Sequence, residues 1–321
     1  MTLQMFALLY IGFIKKFMDE INKIIDVVIA CYNVEKTIEN CIKSLCDQSL
    51  PNDRYNCFFV NDHSNDCTGS ILNKYKDEKN ITVIHHKKNL GLAATRNSGI
   101  KTGNSNLIAF LDGDMIVGVN WLESFLPYFN EGILAVMGDN VPPKNISLNP
   151  VEKYYFGNLR GARKYKDNKK IPLQYMLFGN AMLKREVLQE CGYFNESIKE
   201  YGGEDIDLSA RIWDVYPKSF VFSKNSDAIH YHRRSLDEFC ESMYIYGQNN
   251  LPLLIKKYPH HKSKFAADWI FTLKGKLFFC LPIKRLVQLI INIYPFQILI
   301  RYIVVDAVIR GARSSKLLGK F

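Results

Sequence analysis

The sequence has no Cys-x-x-Cys pair, although it carries eight cysteines among 321 residues. Without that spacing a zinc ribbon or a thioredoxin-like redox motif has no anchor. No secretory leader precedes the cysteines, so a disulfide framework is not expected either. Several of Cys31, Cys41, Cys46, Cys57, Cys67, Cys191, Cys240 and Cys280 fall in apolar strand or helix positions, which suits buried, reduced thiols in a cytosolic compartment. Also missing is an unbroken apolar run of the about 20 residues that a membrane-spanning helix needs. The run 3–14 is 12 residues long and stops at Lys15 and Lys16, and the apolar tail is interrupted by Lys284, Arg285, Pro295, Arg301 and Asp306. There is no internal repeat and no low-complexity tract.

What is present is an ordinary globular composition, 47% apolar and 23% charged, which excludes wholesale disorder and fibrous architectures. The formal charge of +10 resembles a nucleic-acid footprint until it is located. Residues 251–321 hold 13 Lys or Arg against 2 Asp or Glu, whereas the first 250 residues hold 29 against 30. The excess therefore lies in a tail where it is mixed with Phe, Ile, Leu and Trp. That mixture suits helices at an anionic membrane surface, or a basic subdomain packed on the core, better than a DNA-reading face. No nucleic-acid partner is expected.

From residue 24 to about 138, short apolar runs alternate with helix-period segments, the pattern of βα units around a mostly parallel sheet. Strands are expected at 24–30, 57–61, 81–84, 107–111 and 134–137, and helices at 36–47, 69–76, 93–101 and 121–129. Further on, the pattern predicts a strand at 174–183, helices at 186–190 and about 205–214, and short strands at 220–222 and 228–231. The stretch 160–170 holds six Lys or Arg and is expected as a mobile surface loop, a charged rim or a lid over a diphosphate.

In open α/β sheets ligands bind beyond the carboxyl ends of the strands, so the residues just after each strand are the ones to inspect. Asp112 and Asp114 flank Gly113 in FLDGDM, where paired carboxylates can hold Mg²⁺ or Mn²⁺ through hard oxygens; an acidic turn has the same sequence. In VNDHSNDCT, Asp62, Ser64 and Asp66 offer acceptors for a nucleobase imide and ribose hydroxyls, and Thr68 is placed to cap a helix. In NLGLAATRNSGI, Arg96 stands on the first turns of a helix, where it can meet a phosphate or the neighbouring acids. YGGEDIDLSAR presents Glu204 and Asp205 after two glycines, as a candidate general base or as helix-capping acids. HYHRRS offers His230 or His232 as a nitrogen ligand and Arg233 or Arg234 for phosphate.

In this order these segments, with DVVIACYNVEKTIENCIKSLCDQ at 26–48 and FGNAMLKREVL at 178–188, resemble the inverting family 2 glycosyltransferases of the GT-A fold. The resemblance, which covers roughly residues 24–250, implies an α/β, Rossmann-like mixed sheet flanked by helices, to which the composition adds a basic, apolar C-terminal helical tail. It divides the chain into an N-terminal extension 1–23, a candidate interfacial helix in which Met18 is an alternative start, a GT-A catalytic domain 24–250, and a membrane-associated helical tail 251–321. Within the catalytic domain, 24–138 is the nucleotide-binding half and 139–250 the acceptor and catalytic half.

Carried over residue by residue, the resemblance implies that Asp62 reads the base, usually uracil, and that Ala30, Tyr32, Asn33 and Glu35 frame the donor. Arg96 would lie beside the diphosphate, with Gly113 and Arg233 also at the donor; Asp112 would face the ribose or sugar and contribute to the metal site. Asp114 would be the main ligand of Mn²⁺ or Mg²⁺, and the family's His-x-x-Arg pattern favours His230 over His232 as the histidine ligand. Asp205 would be the general base, with Glu204 beside it, and an Asp at this position argues for inversion. Ala30 and Asn61 stand where the family often has Pro and Asp.

The resulting expectation is a metal-dependent hexosyl- or N-acetylhexosaminyltransferase on the cytosolic face of a membrane, moving a sugar from a nucleotide-sugar donor, above all a UDP-sugar, to a glycan or lipid-linked acceptor. A polyprenyl-phosphate acceptor and a catalytically silent nucleotide-sugar-binding membrane protein are the alternatives. A sugar-phosphate nucleotidylyltransferase would want a Gly-rich, basic loop after the first strand, which CYNVEK is not.

Overall fold

The computed structural model describes residues 25–158, 160–231 and 233–318. The expected N-terminal interfacial helix, and His232, lie outside these residues. The first half runs β1 (Ile25–Cys31), α1 (Ile38–Cys46), β2 (Tyr55–Asn61), α2 (Thr68–Asn73), β3 (Ile81–His85), α3 (Leu92–Thr102), β4 (Leu107–Asp112), β5 (Met115–Val117), α4 (Trp121–Phe125) and β6 (Ala135–Val141). The second half continues with α5 (Pro150–Tyr155), β7 (Lys169–Lys170), β8 (Asn180–Lys184), α6 (Arg185–Cys191), α7 (Glu204–Val215) and β9 (Phe220–His230). Then come α8 (Leu236–Ile245), a π-helical turn Tyr246–Asn250, α9 (Leu251–Lys257), α10 (Asp268–Phe271), α11 (Leu273–Phe278), α12 (Leu281–Ile293) and α13 (Gln297–Ser314).

The strands form one sheet in the order β3-β2-β1-β4-β8-β6-β9-β5, with β7 added beside β9. β1 to β4 are mutually parallel where they pair, and the near-continuous apolar sequences of β1, β2 and β4 suit strands covered on both faces, while β3 is the partly exposed edge. β8 then enters antiparallel between β4 and β6, and β5 pairs antiparallel with β9, so the sheet is mixed. The two strands expected at 220–222 and 228–231 are one strand, β9, whose pairing with β6 shifts register between Gly138 and Asn140.

Small residues let the helices close on the sheet. A Cβ on Gly99 of α3 would stand 2.5 Å from Val28 Cγ1, and one on Gly103 would stand 2.1 Å from Asp26 Oδ2. Asp26 is a fully buried carboxylate in β1, held by Ser105 N–H at 2.9 Å, Ser105 Oγ at 2.6 Å and Arg185 Nη2 at 2.6 Å. A buried charge persists only with such partners.

The stretch 160–170 is anchored, contrary to the expected mobile loop. Arg160 stacks over Tyr154, Tyr155 and Phe239, and Arg163 binds Asp139 Oδ1 at 2.5 Å and the Tyr155 carbonyl at 2.7 Å. Lys169 and Lys170 pair with β9. Guanidinium groups on aromatic faces hold a segment that its charge count alone would send into water.

The basic tail does more than follow the sheet. Leu251, Leu254, Tyr258, Phe265, Ile270 and Ala312 share one hydrophobic cluster with Phe110, Phe178 and Leu208. α13 crosses α8 and the π-helical turn so closely that a Cβ on Gly247 would meet the Val308 carbonyl at 2.1 Å and one on Gly311 the Tyr244 carbonyl at 2.1 Å. Among the described residues no helix is long and apolar enough to cross a membrane.

Candidate active site

The parallel register sets the site. Ala30 pairs with Asp112 and Cys31 with Asn61, so the ends of β1, β2 and β4 open on one edge of the sheet. There the loops after β1 and β2 are laced together. Asn33, at φ 52°, donates its N–H to Ser64 Oγ at 3.0 Å, and its side-chain oxygen accepts from Asn65 N–H at 2.9 Å. Glu35 N–H donates to Asp66 Oδ2 at 3.1 Å, while Glu35 Oε2 accepts from Cys67 N–H at 2.9 Å. Thr68, expected as a helix cap, instead accepts from Val34 N–H at 2.9 Å; Asp66 Oδ1 accepts the Thr68 N–H. Tyr32 stands exposed on the rim of this cradle.

Asp62 is buried beneath the rim. Its Oδ1 accepts from Leu90 N–H at 2.8 Å and meets His86 Nδ1 at 2.7 Å, and its Oδ2 accepts from Gly91 N–H at 2.9 Å. Three of roughly four acceptor positions on the carboxylate are thus used to fasten the loop that leads into α3.

α3 delivers Arg96 to the centre. The guanidinium is 3% exposed, lies over the Phe194 ring at 5.3 Å, and reaches Asp112 Oδ1 at 3.1 Å, Asp205 Oδ1 at 2.8 Å and Glu204 Oε1 at 3.7 Å. Desolvation alone would lower its pKa, but Asp205, Asp112 and Glu204 outweigh it and hold the group above its ordinary value. Arg96 therefore ties Asp112 of β4 to Glu204 and Asp205 of α7.

Glu204 and Asp205 open α7 after Gly202 and Gly203, both at positive φ (77° and 103°). Burial pushes the Glu204 carboxyl up to about 7, the Asp205 charge adding to the rise and Arg96 opposing it. Asp205 is raised by burial too, against Arg96 and the Phe178 N–H that donates to its Oδ2 at 3.2 Å. The glycine turn is held from the tail side, where Asn250 Nδ2 donates to the carbonyls of Glu200 at 3.1 Å and Gly202 at 2.6 Å.

Gly113 occupies a tight corner, where a Cβ would meet the Ala30 carbonyl at 3.2 Å. Just beyond it, β5 and β9 pair Met115 with His230, and Tyr231 N–H donates to the Asp114 carbonyl at 2.9 Å. His230 Nε2 comes to 3.2 Å from Asp114 Oδ2. Two ligands bound at about 2.1 Å on adjacent octahedral positions stand about 3 Å apart, so this oxygen and nitrogen fit one Mn²⁺ or Mg²⁺. Burial holds the thiols of Cys31 and Cys41 beneath the turn neutral, and Asp112 reinforces both. Arg233 is exposed and leans on Glu152 Oε1 at 3.3 Å and the Ser147 carbonyl at 3.2 Å.

Sequence reasoning assigned no role to Gly179. Asp112 N–H donates to its carbonyl at 2.9 Å, and a Cβ there would stand 2.5 Å from Asp112 Oδ2. The signal was present in the segment FGNAMLKREVL, but its reason is a contact across two strands.

The glycosyl transferase family 2 model matches residues 26–192, more than half of the chain and most of this site. The chain belongs to glycosyl transferase family 2. Among relatives of this family 2 chain, a pre-mycofactocin glycosyltransferase of Mycobacterium tuberculosis is 28% identical over 193 residues, covering 58% of this chain and 39% of that protein. Chondroitin synthase of Escherichia coli is 24% identical over 279 residues, covering 75% of this chain and 39% of its own length. The chain thus spans about two fifths of the length of these curated relatives. Among solved structures, the mannosyltransferase PcManGT from Pyrobaculum calidifontis, in complex with GDP-Man and Mn²⁺, superposes with a TM-score of 0.63 at 16% identity, covering 92% of this chain and 88% of that one. S. aureus TarS 1-349 in complex with UDP gives 0.53 at 18% identity, covering 91% and 90%. At these identities the likeness establishes the GT-A fold.

Proposed function

We propose that this family 2 chain transfers a sugar, with inversion, from a nucleotide diphosphate sugar, above all a UDP-sugar, to a hydroxyl of a glycan or lipid-linked acceptor. The observation that carries the reading is the Asp205–Arg96–Asp112 bridge beside the Asp114–His230 pair. It sets a base next to a metal-competent corner at the strand ends where donors bind. Asp114 and His230, with Asp112 close by, would hold Mn²⁺ or Mg²⁺, which when bound offsets the charge of the departing diphosphate. Ala30, Tyr32, Asn33 and Glu35 form the cradle for the nucleoside, and Asp62 shapes its floor. Asp205 takes the proton from the acceptor hydroxyl as its oxygen bonds to the anomeric carbon and the bond to the diphosphate breaks. Glu204, lifted close to neutrality, shares the proton load of the pair. That solved structures of the same fold hold UDP in one case and GDP-Man with Mn²⁺ in another supports the donor class.

The test is transfer and hydrolysis across UDP-, GDP- and dTDP-sugars with Mn²⁺, Mg²⁺ or EDTA. Turnover that survives EDTA removes the metal role of Asp114. Asp205→Asn should keep donor binding and lose transfer by about 10²–10⁴-fold; unchanged turnover removes Asp205 as base.

The tail supports a membrane-facing acceptor. Leu286, Leu289 and Ile293 line one face of α12 at helical spacing, and with Leu273, Leu277 and Phe296 each is more than half exposed. Lys274, Lys276 and Arg285 stand among them, so the surface matches an anionic leaflet in both greasiness and charge. Full-length protein should float with anionic liposomes, and the Leu286→Glu, Leu289→Glu double variant should not; equal flotation overturns this part of the reading.

A further inference from the structure

We infer a second metal site, for Zn²⁺ or a similar borderline ion, formed by Asp214 of α7 with His260 and His261 of the tail. His261 Nε2 lies 2.7 Å from Asp214 Oδ1, and His260 Nε2 lies 3.1 and 3.2 Å from the two carboxylate oxygens. One donor atom from each residue falls within 4.8 Å of both others. In a tetrahedral zinc site with bonds of about 2.0–2.1 Å, neighbouring ligand atoms stand roughly 3.3 Å apart, so small side-chain adjustments admit the ion.

The donor set defines the chemistry. Two imidazoles and one carboxylate suit Zn²⁺, Co²⁺, Ni²⁺ or Cu²⁺, whereas the oxygen-richer corner at Asp112 and Asp114 suits Mn²⁺ or Mg²⁺. His261 is buried and fixed, while Asp214 and His260 are exposed and leave the remaining coordination position to water.

The placement suggests what the ion does. Asp214 is in the last turn of the helix whose first turn carries Glu204 and Asp205, and the two histidines sit on the 3₁₀ segment Pro259–Phe265. An ion bridging them clamps the tail to the far end of the catalytic helix, a structural role that stands whether or not the transfer reading holds.

The experiment uses full-length, metal-stripped protein titrated with Zn²⁺ against a chromophoric chelator. Co²⁺ absorption and thermal unfolding serve as independent readouts. Wild type should bind one Zn²⁺ that Asp114→Asn retains, give a Co²⁺ d–d band, and melt higher with the ion. His260→Ala and Asp214→Asn, both at exposed positions, should weaken binding by at least about 10–100-fold, the loss known for an outer-shell partner, and abolish the melting shift. Zn²⁺ affinity and melting shift that are the same in wild type and both variants, or no stoichiometric binding, overturn the site.

Discussion

Arg96 Nη1 and Asp205 Oδ1 meet at 2.8 Å across 109 residues of sequence, and the same guanidinium holds Asp112 Oδ1 at 3.1 Å. One buried cation thus offsets three carboxylates. Arg96→Met keeps the length and removes the charge, leaving Asp112, Glu204 and Asp205 to repel one another. Loss of one partner from a buried ion pair costs about 3–5 kcal/mol. The variant should therefore lose stability on that order in urea unfolding at pH 8, and less at pH 5, where the acids can take up protons. Equal destabilisation at both pH values would show that packing against Phe194, not charge, is what Arg96 contributes.

Glu204 supplies the pH dependence. Its folded-state pKa stands at about 7 against an ordinary 4.5, and Asp205 is raised as well. Between these values the folded state holds protons that the unfolded chain releases, so stability falls as pH rises through this window. Glu204→Gln removes one of the mutually repelling charges. Its stability relative to wild type should rise from pH 4.5 to pH 8, by on the order of 2–3 kcal/mol. The transfer rate of wild type should climb through about pH 7 as the pair ionises, and in the variant that limb should move to lower pH. Chemical denaturation and kcat/KM profiles at matched pH read both effects.

The legibility of this chain tracks the distance over which its structure is decided. β1, β2, β3 and β4 announce themselves as apolar runs, and the acids at their ends follow directly from strand polarity. The mixed half is less readable. β9 looks like two strands because Lys224 and Asn225 interrupt its apolar pattern at the register shift. β5 is only three residues long, and its partner lies more than 100 residues away. Charge counting sent 160–170 into solvent because the aromatic seats of Arg160 come from α5 and α8. In 251–258, by contrast, the buried Leu251, Leu254 and Tyr258 flank Lys256 and Lys257, in keeping with the basic subdomain packed on the core that the composition also allowed. At the site, residue types were legible, but the carboxylate partners of Arg96 depend on α7 bringing Glu204 and Asp205 to it from more than 100 residues away.

Asn250 is a positioning residue for the acidic pair. It is 3% exposed and donates to the Glu200, Tyr201 and Gly202 carbonyls at 3.1, 3.4 and 2.6 Å, just upstream of Glu204. Asn250→Ala leaves those carbonyls without their donor, costing about 1–3 kcal/mol. Because the cradle between β1 and β2 is untouched, KM for the donor should stay near wild type while kcat falls. A parallel rise in donor KM would place the effect elsewhere.

Gly179 tests how closely Asp112 must be held. Arg96 fixes Oδ1 of that carboxylate, and the absent Cβ of Gly179 gives Oδ2 its room, since a methyl there would stand 2.5 Å away. The backbone cannot yield easily, because the Gly179 carbonyl receives the Asp112 N–H and the next residue begins β8. Gly179→Ala should therefore rotate the Asp112 side chain rather than shift the strand. Overpacking of this kind costs about 1–3 kcal/mol. It should also weaken metal-dependent donor binding, read as a higher Mn²⁺ or Mg²⁺ requirement for turnover. Gly179→Ala with wild-type stability and metal dependence would mean that Asp112 Oδ2 has slack in the site and that its orientation is set by Arg96 alone.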